Sequence, residues 1–242
     1  MQDQPRLHCT EPLAGGVTIA LDPAQAHYLG GVLRRSPGDA VTLFNERDGE
    51  WDATIAALRK DRCQVTVGAQ RRPPRSEPGP ALLFAPIKRD ATDLVVRMAT
   101  ELGAASIRPV LTERTNAARV NLDRWRAIAT EAAEQCERLS VPRIAEPVRL
   151  PDLLGSWDDA VPLLAALERA PEGEDTRRSA AGWRRDAPPA VQPALLVGPE
   201  GGFSPAERGL LARCGFVVPV RLGPLVLRAE TASLAGLSAL LG

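Results

Sequence analysis

The chain has 242 residues, 44% hydrophobic and 25% charged, which excludes a fibrous or intrinsically disordered protein and suits one large domain or two modest ones. Its apolar runs are short and broken by charges or prolines, far from the roughly 20 residues of a membrane-spanning helix, and Met1 to Thr10 has no apolar signal core, so a cytosolic protein is expected. Thirty Lys and Arg balance thirty Asp and Glu, which removes any global electrostatic case for nucleic acid and leaves only local patches.

From Val17 to Gln70 the pattern is one of short β-like runs: Val17 to Leu21, Ala40 to Asn45, Trp51 to Leu58 and Arg62 to Val67. Turn signals at Ser36-Pro37-Gly38-Asp39 and Asp48-Gly49 separate them, and this spacing predicts a small β-barrel. Between the first two runs, Ala24 to Arg35 predicts a short helix with Tyr28, Val32 and Leu33 on one side. Arg71 to Pro80 reads RRPPRSEPGP, whose four prolines fit neither a helix nor a central strand. It marks the junction between domains, giving an N-terminal domain at 1–72, a linker at 73–80 and a second domain at 81–242.

Beyond the linker, strands and helices alternate, the signature of a parallel sheet. Ala81 to Pro86 and Ser106 to Leu111 are predicted extended, and Asp90 to Leu102 and Asn121 to Leu139 helical. Asp90 is expected to cap the first helix and Gly103 to end it, with Leu94, Val95, Met98 and Leu102 as its apolar stripe. Leu122, Trp125, Ile128, Ala129, Ala132, Ala133 and Cys136 form the stripe of the second. Arg169 to Pro189 has almost no large apolar residue besides Trp183 and reads as a mobile surface loop, with Arg177, Arg178, Arg184 and Arg185 available to RNA. Then come a strand at Ala194 to Val197, a helix from Ser204, a strand at Phe216 to Arg221 and a final helix near Ala229 to Leu240.

Two segments carry chemistry. In Leu196-Val197-Gly198-Pro199-Glu200-Gly201-Gly202-Phe203-Ser204 a strand runs directly into a glycine-rich turn, which lets backbone amides approach a ligand closely. Ser204, Pro205 and Glu207 then supply an N-cap, a first-position proline and a first-turn carboxylate. The pattern is neither a P-loop nor a dinucleotide fingerprint. Leu222-Gly223-Pro224-Leu225-Val226-Leu227-Arg228-Ala229-Glu230-Thr231-Ala232 is a second glycine turn after a strand, with Arg228 and Glu230 at a helix entrance. If the two strands are near neighbours in a parallel sheet, both turns lie at its carboxyl edge, where α/β sheets bind ligands. Cys9, Cys63, Cys136 and Cys214 are widely separated and form no CxxC pair, so no metal site and no disulfide framework is expected.

GPEGGFS followed by LGPLVLRAETA resembles the RsmE family of 16S ribosomal RNA uridine N3-methyltransferases. His27-Tyr28-Leu29 with Val32-Leu33-Arg34 and Gly38-Asp39 resembles the family's N-terminal pattern. Ala99 to Gly103, Glu113-Arg114 and Glu131 to Gln135 through Val141-Pro142 resemble its central motifs. The resemblance implies an α/β SPOUT domain, a parallel sheet with flanking helices and a C-terminal trefoil knot, preceded by a PUA-like β-barrel that grips RNA. It implies S-adenosyl-L-methionine as cofactor, held by Leu196, Gly198, Glu200, Gly201 and Gly202 on one side and Leu222, Gly223, Leu227 and Ala229 on the other. It also implies a homodimer acting on 16S rRNA of the 30S subunit, without membrane or metal. Two departures stand out: Leu225 and Ser140 occupy positions where the family usually has arginine.

On this reading Glu230 is the base, or a hydrogen-bond partner of the uracil edge, and Arg228 stabilises charge on the uracil carbonyls; alternatively the two merely pair with each other. Residues 1–75 hold ten basic against nine acidic residues, so any RNA grip is local. Its candidates are Arg6, Arg34, Arg35 and Arg138, with the cluster Arg71, Arg72 and Arg75. Ribose 2'-O methylation and a non-catalytic ribosome-assembly role remain as alternatives at this stage.

Overall fold

The protein is described by a computed structural model covering residues 4–116, 120–167 and 178–241. Two compact units emerge, one of 1–77 with 133–141, the other of 78–132 with 142–242.

In the first unit, strands β1 (Arg6–His8), β2 (Thr18–Leu21), β3 (Ala40–Asn45), β4 (Gly49–Arg59) and β5 (Arg62–Arg72) form one sheet in the order β1-β3-β4-β5-β2. Leu7 of one edge strand and Ile19 and Leu21 of the other share a single core with Val41, Ile55 and Val65, so the sheet curls around its interior. Register shifts between β4 and β5 supply local twist for that curl. β5 runs through Arg72, so the first residues of the proline-rich junction are still sheet. Gly49 turns the β3–β4 hairpin at φ +82°, and a Cβ there would sit 2.2 Å from the Arg72 carbonyl oxygen. Gly49→Ala is therefore expected to destabilise this unit by about 2–3 kcal/mol, read as a lowered denaturation midpoint.

The helix predicted for Ala24 to Arg35 is shorter. Helix α1 (Pro23–His27) starts with a capping box between Asp22 and Gln25 and gives way to a π turn over Tyr28–Val32. Gly30 and Gly31 weaken any α continuation, and a Cβ on Gly31 would meet the His27 ring at 2.9 Å. The buried residues here are Ala26 and Leu29, whereas Tyr28 and Val32 point outward.

The second unit is built on parallel strands: β6 (Ala81–Phe84), β7 (Ser106–Leu111), β8 (Arg143–Ile144), β9 (Val148–Arg149), β10 (Leu163–Ala166), β11 (Arg178–Ser179), β12 (Ala194–Val197) and β13 (Val217–Arg221). The order is β11-β13-β10-β12-β6-β7-β8, with β9 paired to β7. Helices α2 (Arg89–Glu101), α3 (Leu122–Gln135), α4 (Leu150–Gly155), α5 (Ala180–Asp186), α6 (Pro205–Arg213) and α7 (Ala229–Leu241) connect and cover them.

Asp90 does not cap α2; the N-cap is Lys88 and makes no side-chain cap bond, while Asp90 lies in the first turn. The buried face of α2 is also rotated from the expected stripe, to Thr92, Val95, Val96, Ala99 and Thr100. Both threonines tolerate burial because their hydroxyls donate to the Ile87 and Val96 carbonyls. Trp125 of α3 is buried and stacks on Phe84, ring centroids 5.3 Å apart.

The stretch read as a loop from Arg169 to Pro189 contains β11 and α5. Ser179 caps α5 by accepting from the Gly182 amide at 3.0 Å, a short-range signal that the arginine-rich composition hides. Residues 169–177, including Arg177, lie outside the described residues. Among the described residues no helix is long and apolar enough to cross a membrane, and no cluster of three His, Cys, Asp or Glu could hold a metal ion.

Candidate functional site

Because β6, β12, β10 and β13 are all parallel, their carboxyl ends fall on one edge of the sheet. β10 lies between β12 and β13, so the two glycine turns are one strand apart and flank its end at Ala166-Leu167. Two hollows of about 240 and 170 Å³ occur there and share Ala166, Leu167, Leu227 and Ala232. Gly198, Gly201, Gly202 and Ala229 line the first, Leu222 and Gly223 the second, and Leu227 both.

The first turn is shaped by its glycines. Gly202 has φ +64°, and a Cβ on Gly198 would press on the Phe203 ring at 3.1 Å. The turn ends in the capping box foreseen from the sequence, with Ser204 Oγ accepting from the Glu207 amide at 3.1 Å and Glu207 Oε2 from the Ser204 amide at 2.9 Å.

Glu207 does more than cap. It is buried, and its second oxygen accepts the Glu113 amide at 2.8 Å, which fastens the loop after β7 to the start of α6. From that loop Arg114 reaches over the glycine turn and donates to the Gly201 carbonyl at 2.6 Å. Arg114 and Arg208 both line the first hollow, which gives an otherwise backbone-lined site two cations. Glu207→Ala leaves the buried Ser204 amide and the Glu113 amide without their acceptor and is expected to cost about 2 kcal/mol, with faster hydrogen exchange at the Glu113 amide.

Other candidates fall elsewhere. Leu196 is fully buried in the core, facing Leu83 and Leu163 rather than a hollow, and Glu200 is exposed on the outside of its turn. Arg228 is exposed and Glu230 half-buried, flanking the hollow-lining Ala229. Among the described residues neither makes a side-chain hydrogen bond or ion pair, so they do not pair with each other. Leu225 is 76% exposed.

The arginines named for RNA are mostly committed within the first unit. Arg6 pairs with Glu50 at 2.6 Å, donates to the Ala133 and Arg138 carbonyls, and lies 3.5 Å over the Phe44 ring. Burial lowers its pKa, partly offset by Glu50. Arg138 is buried beside Glu77 and donates to Ser140 Oγ. Arg72 shares Glu50, Arg71 pairs with Asp52, and Arg75 pairs with Glu77. Arg34 is exposed at φ +54° and Arg35 half-buried. In the second unit Arg178 pairs with Asp186, and Arg184 donates to the Val191 carbonyl.

Comparison with known proteins adds to this geometry. A model described as an RNA methyltransferase domain matches residues 76–241, and one described as an RNA methyltransferase PUA domain matches residues 21–68. Ribosomal RNA small subunit methyltransferase E of Rickettsia conorii is 32% identical over 96% of this chain and 93% of its own length. The enzyme of that name from Synechocystis is 35% identical over 93% of this chain and 74% of its own. Among solved structures, a Legionella pneumophila methyltransferase with bound SAM has a TM-score of 0.85 at 30% identity, covering 98% of this chain and 97% of its own. Ribosomal RNA small subunit methyltransferase E of Neisseria gonorrhoeae, bound to S-adenosyl methionine, gives 0.81 at 29% identity over 98% and 96%.

Proposed function

Since this chain belongs to the ribosomal RNA small subunit methyltransferase E family, we propose that it transfers a methyl group from S-adenosylmethionine to N3 of a uridine in 16S rRNA. The observation that carries this reading is the pair of glycine turns converging on the end of β10.

The residues present suit that cofactor. Taken together the adjacent hollows reach the lower part of the ~300–1,000 Å³ range of small-molecule sites, and they are lined by Gly198, Gly201 and Gly202 and by apolar Phe203 and Leu227. When bound, the cofactor supplies an electrophilic methyl sulfonium. The protein's task is then positioning, which is worth roughly 7–11 kcal/mol for well-oriented groups. Glu230 takes the N3 proton and Arg228 faces the charge that develops on the uracil carbonyl oxygens. Among the described residues neither has a side-chain partner, and they flank the hollow-lining Ala229 in sequence. N3 lies on the pairing edge of the base, so the target uridine must be unpaired or drawn out of its stack.

The same reading assigns 1–72 to the PUA-like RNA-binding domain, 73–80 to a linker and 81–242 to a knotted SPOUT domain; the placement of β10 between β12 and β13 supports a threaded C-terminus. It also takes the assembled 30S subunit as substrate and a homodimer as the working form, with exposed Leu225 and Val226 as surface for a second copy. Incubating the protein with labelled cofactor and unmodified 30S subunits, then mapping the methyl, tests the assignment. Label on a ribose oxygen, or none on 16S rRNA, would overturn it.

A further inference from the structure

A third hollow, of about 540 Å³, opens at the carboxyl end of β6. Its floor is apolar, formed by Ile87 and the buried Trp125, and Thr92 fixes its lip by accepting from the Ile87 amide at 3.1 Å. Among its described lining residues the cations are Lys88, Arg89 and Arg124 and the one carboxylate is Asp93.

Asp93 is already taken, since Arg124 Nε donates to both of its oxygens at 3.0 and 2.9 Å. Lys88 and Arg89 make no side-chain hydrogen bond or ion pair among the described residues, and both are exposed. Their neighbour Asp90 does not line the hollow. Most arginines named above are spent on internal carboxylates or carbonyls, so two exposed cations without a side-chain ion pair among the described residues, over an apolar floor, are a distinct chemical feature. Such a surface suits a ribose or base on the floor with a phosphodiester at the rim.

Position makes the partner specific. β6 and β12 are paired in register, Phe84 opposite Val197, so this hollow begins one strand spacing, about 5 Å, from where the glycine turn begins. The loop after β7 bridges the two, with Arg114 over the glycine turn and Asn116 in the third hollow. We propose that the Lys88–Arg89 hollow holds the phosphate backbone of a single-stranded RNA segment, a nucleotide adjacent to the one presented at the glycine turns. This rests on the methyltransferase reading above and names the surface of the second unit that grips its substrate.

The test is the double substitution Lys88→Ala/Arg89→Ala in the full chain, with binding to unmodified 30S subunits measured across a salt series and cofactor binding followed by calorimetry. The expected result is RNA affinity weakened on the order of tenfold, with a salt slope shallower by about 1–2, while cofactor affinity and melting temperature stay at wild-type values. A variant that binds subunits as wild type does, with the same slope, overturns the assignment of the hollow and leaves the methyltransferase reading standing. A wild-type protein that binds cofactor but neither binds nor methylates subunits overturns the reading itself, and the RNA assignment with it.

Discussion

Glu50→Ala is expected to cost the first unit about 3–5 kcal/mol, enough to unfold it at moderate temperature. Glu50 is buried and its carboxylate receives Arg6 Nε at 2.6 Å, Arg72 Nη2 at 2.6 Å and Arg72 Nε at 3.1 Å. Removing it leaves two guanidinium groups facing each other without an anion. Arg6 would suffer most, being fixed over the Phe44 ring and among the carbonyls of Ala133 and Arg138. Burial pushes the Glu50 carboxyl up, but the hydrogen bonds from Arg72 and Arg6 outweigh it and hold the pKa below the ordinary glutamate range.

The same balance sets an acid dependence. Glu77 is lowered because bonds from Ser140 and the Leu139 amide overcome burial, and Asp48 is held at about 2 chiefly by Arg47. A carboxyl whose folded pKa is depressed contributes stability above its unfolded pKa, about 4, and loses it as pH falls through the folded value. Thermal melts of the wild type should therefore drop steadily from about pH 5 towards pH 2. Glu50→Ala should start lower and fall less steeply; an unchanged melting temperature at pH 7 would show that the pair contributes nothing.

Glu230→Gln is expected to slow methyl transfer by about 10²–10⁴-fold at saturating cofactor, the usual contribution of a positioned base. The amide keeps the size and one hydrogen-bonding oxygen but accepts no proton. Glu230 lies in the first turn of α7, next to Ala229, with no ion pair to Arg228 to restrain it. Calorimetry of the variant should return the wild-type cofactor affinity, because the glycine turns are untouched. Equal initial rates for the two proteins would remove Glu230 from the chemistry.

Much of this site is local and therefore readable. β12 is a short apolar run ending at Gly198, and Ser204, Pro205 and Glu207 announce α6 within four residues. β10, which brings the turns together, is not readable in the same way. Leu163–Ala166 is four residues long and half alanine, a poor strand former, and it is extended because partners on both sides supply its hydrogen bonds. The fate of the arginines is equally remote from local pattern. Arg6 and Glu50 are 44 positions apart, and only the folded sheet shows that a cation expected at the RNA surface closes a buried pair. Arg114 belongs to a motif the sequence displays, yet its hold on Gly201 spans 87 positions.

The arrangement of β10 between β12 and β13 also fixes at what stage of folding the site can exist. A chain folded only as far as α6 possesses β6, β10 and β12 but has nothing paired to the far side of β10 and lacks the opposite wall from Leu222 to Ala229. Both walls of the hollows are therefore present only once β13 has docked beside β10 and the turn from Leu222 to Ala229 has followed it.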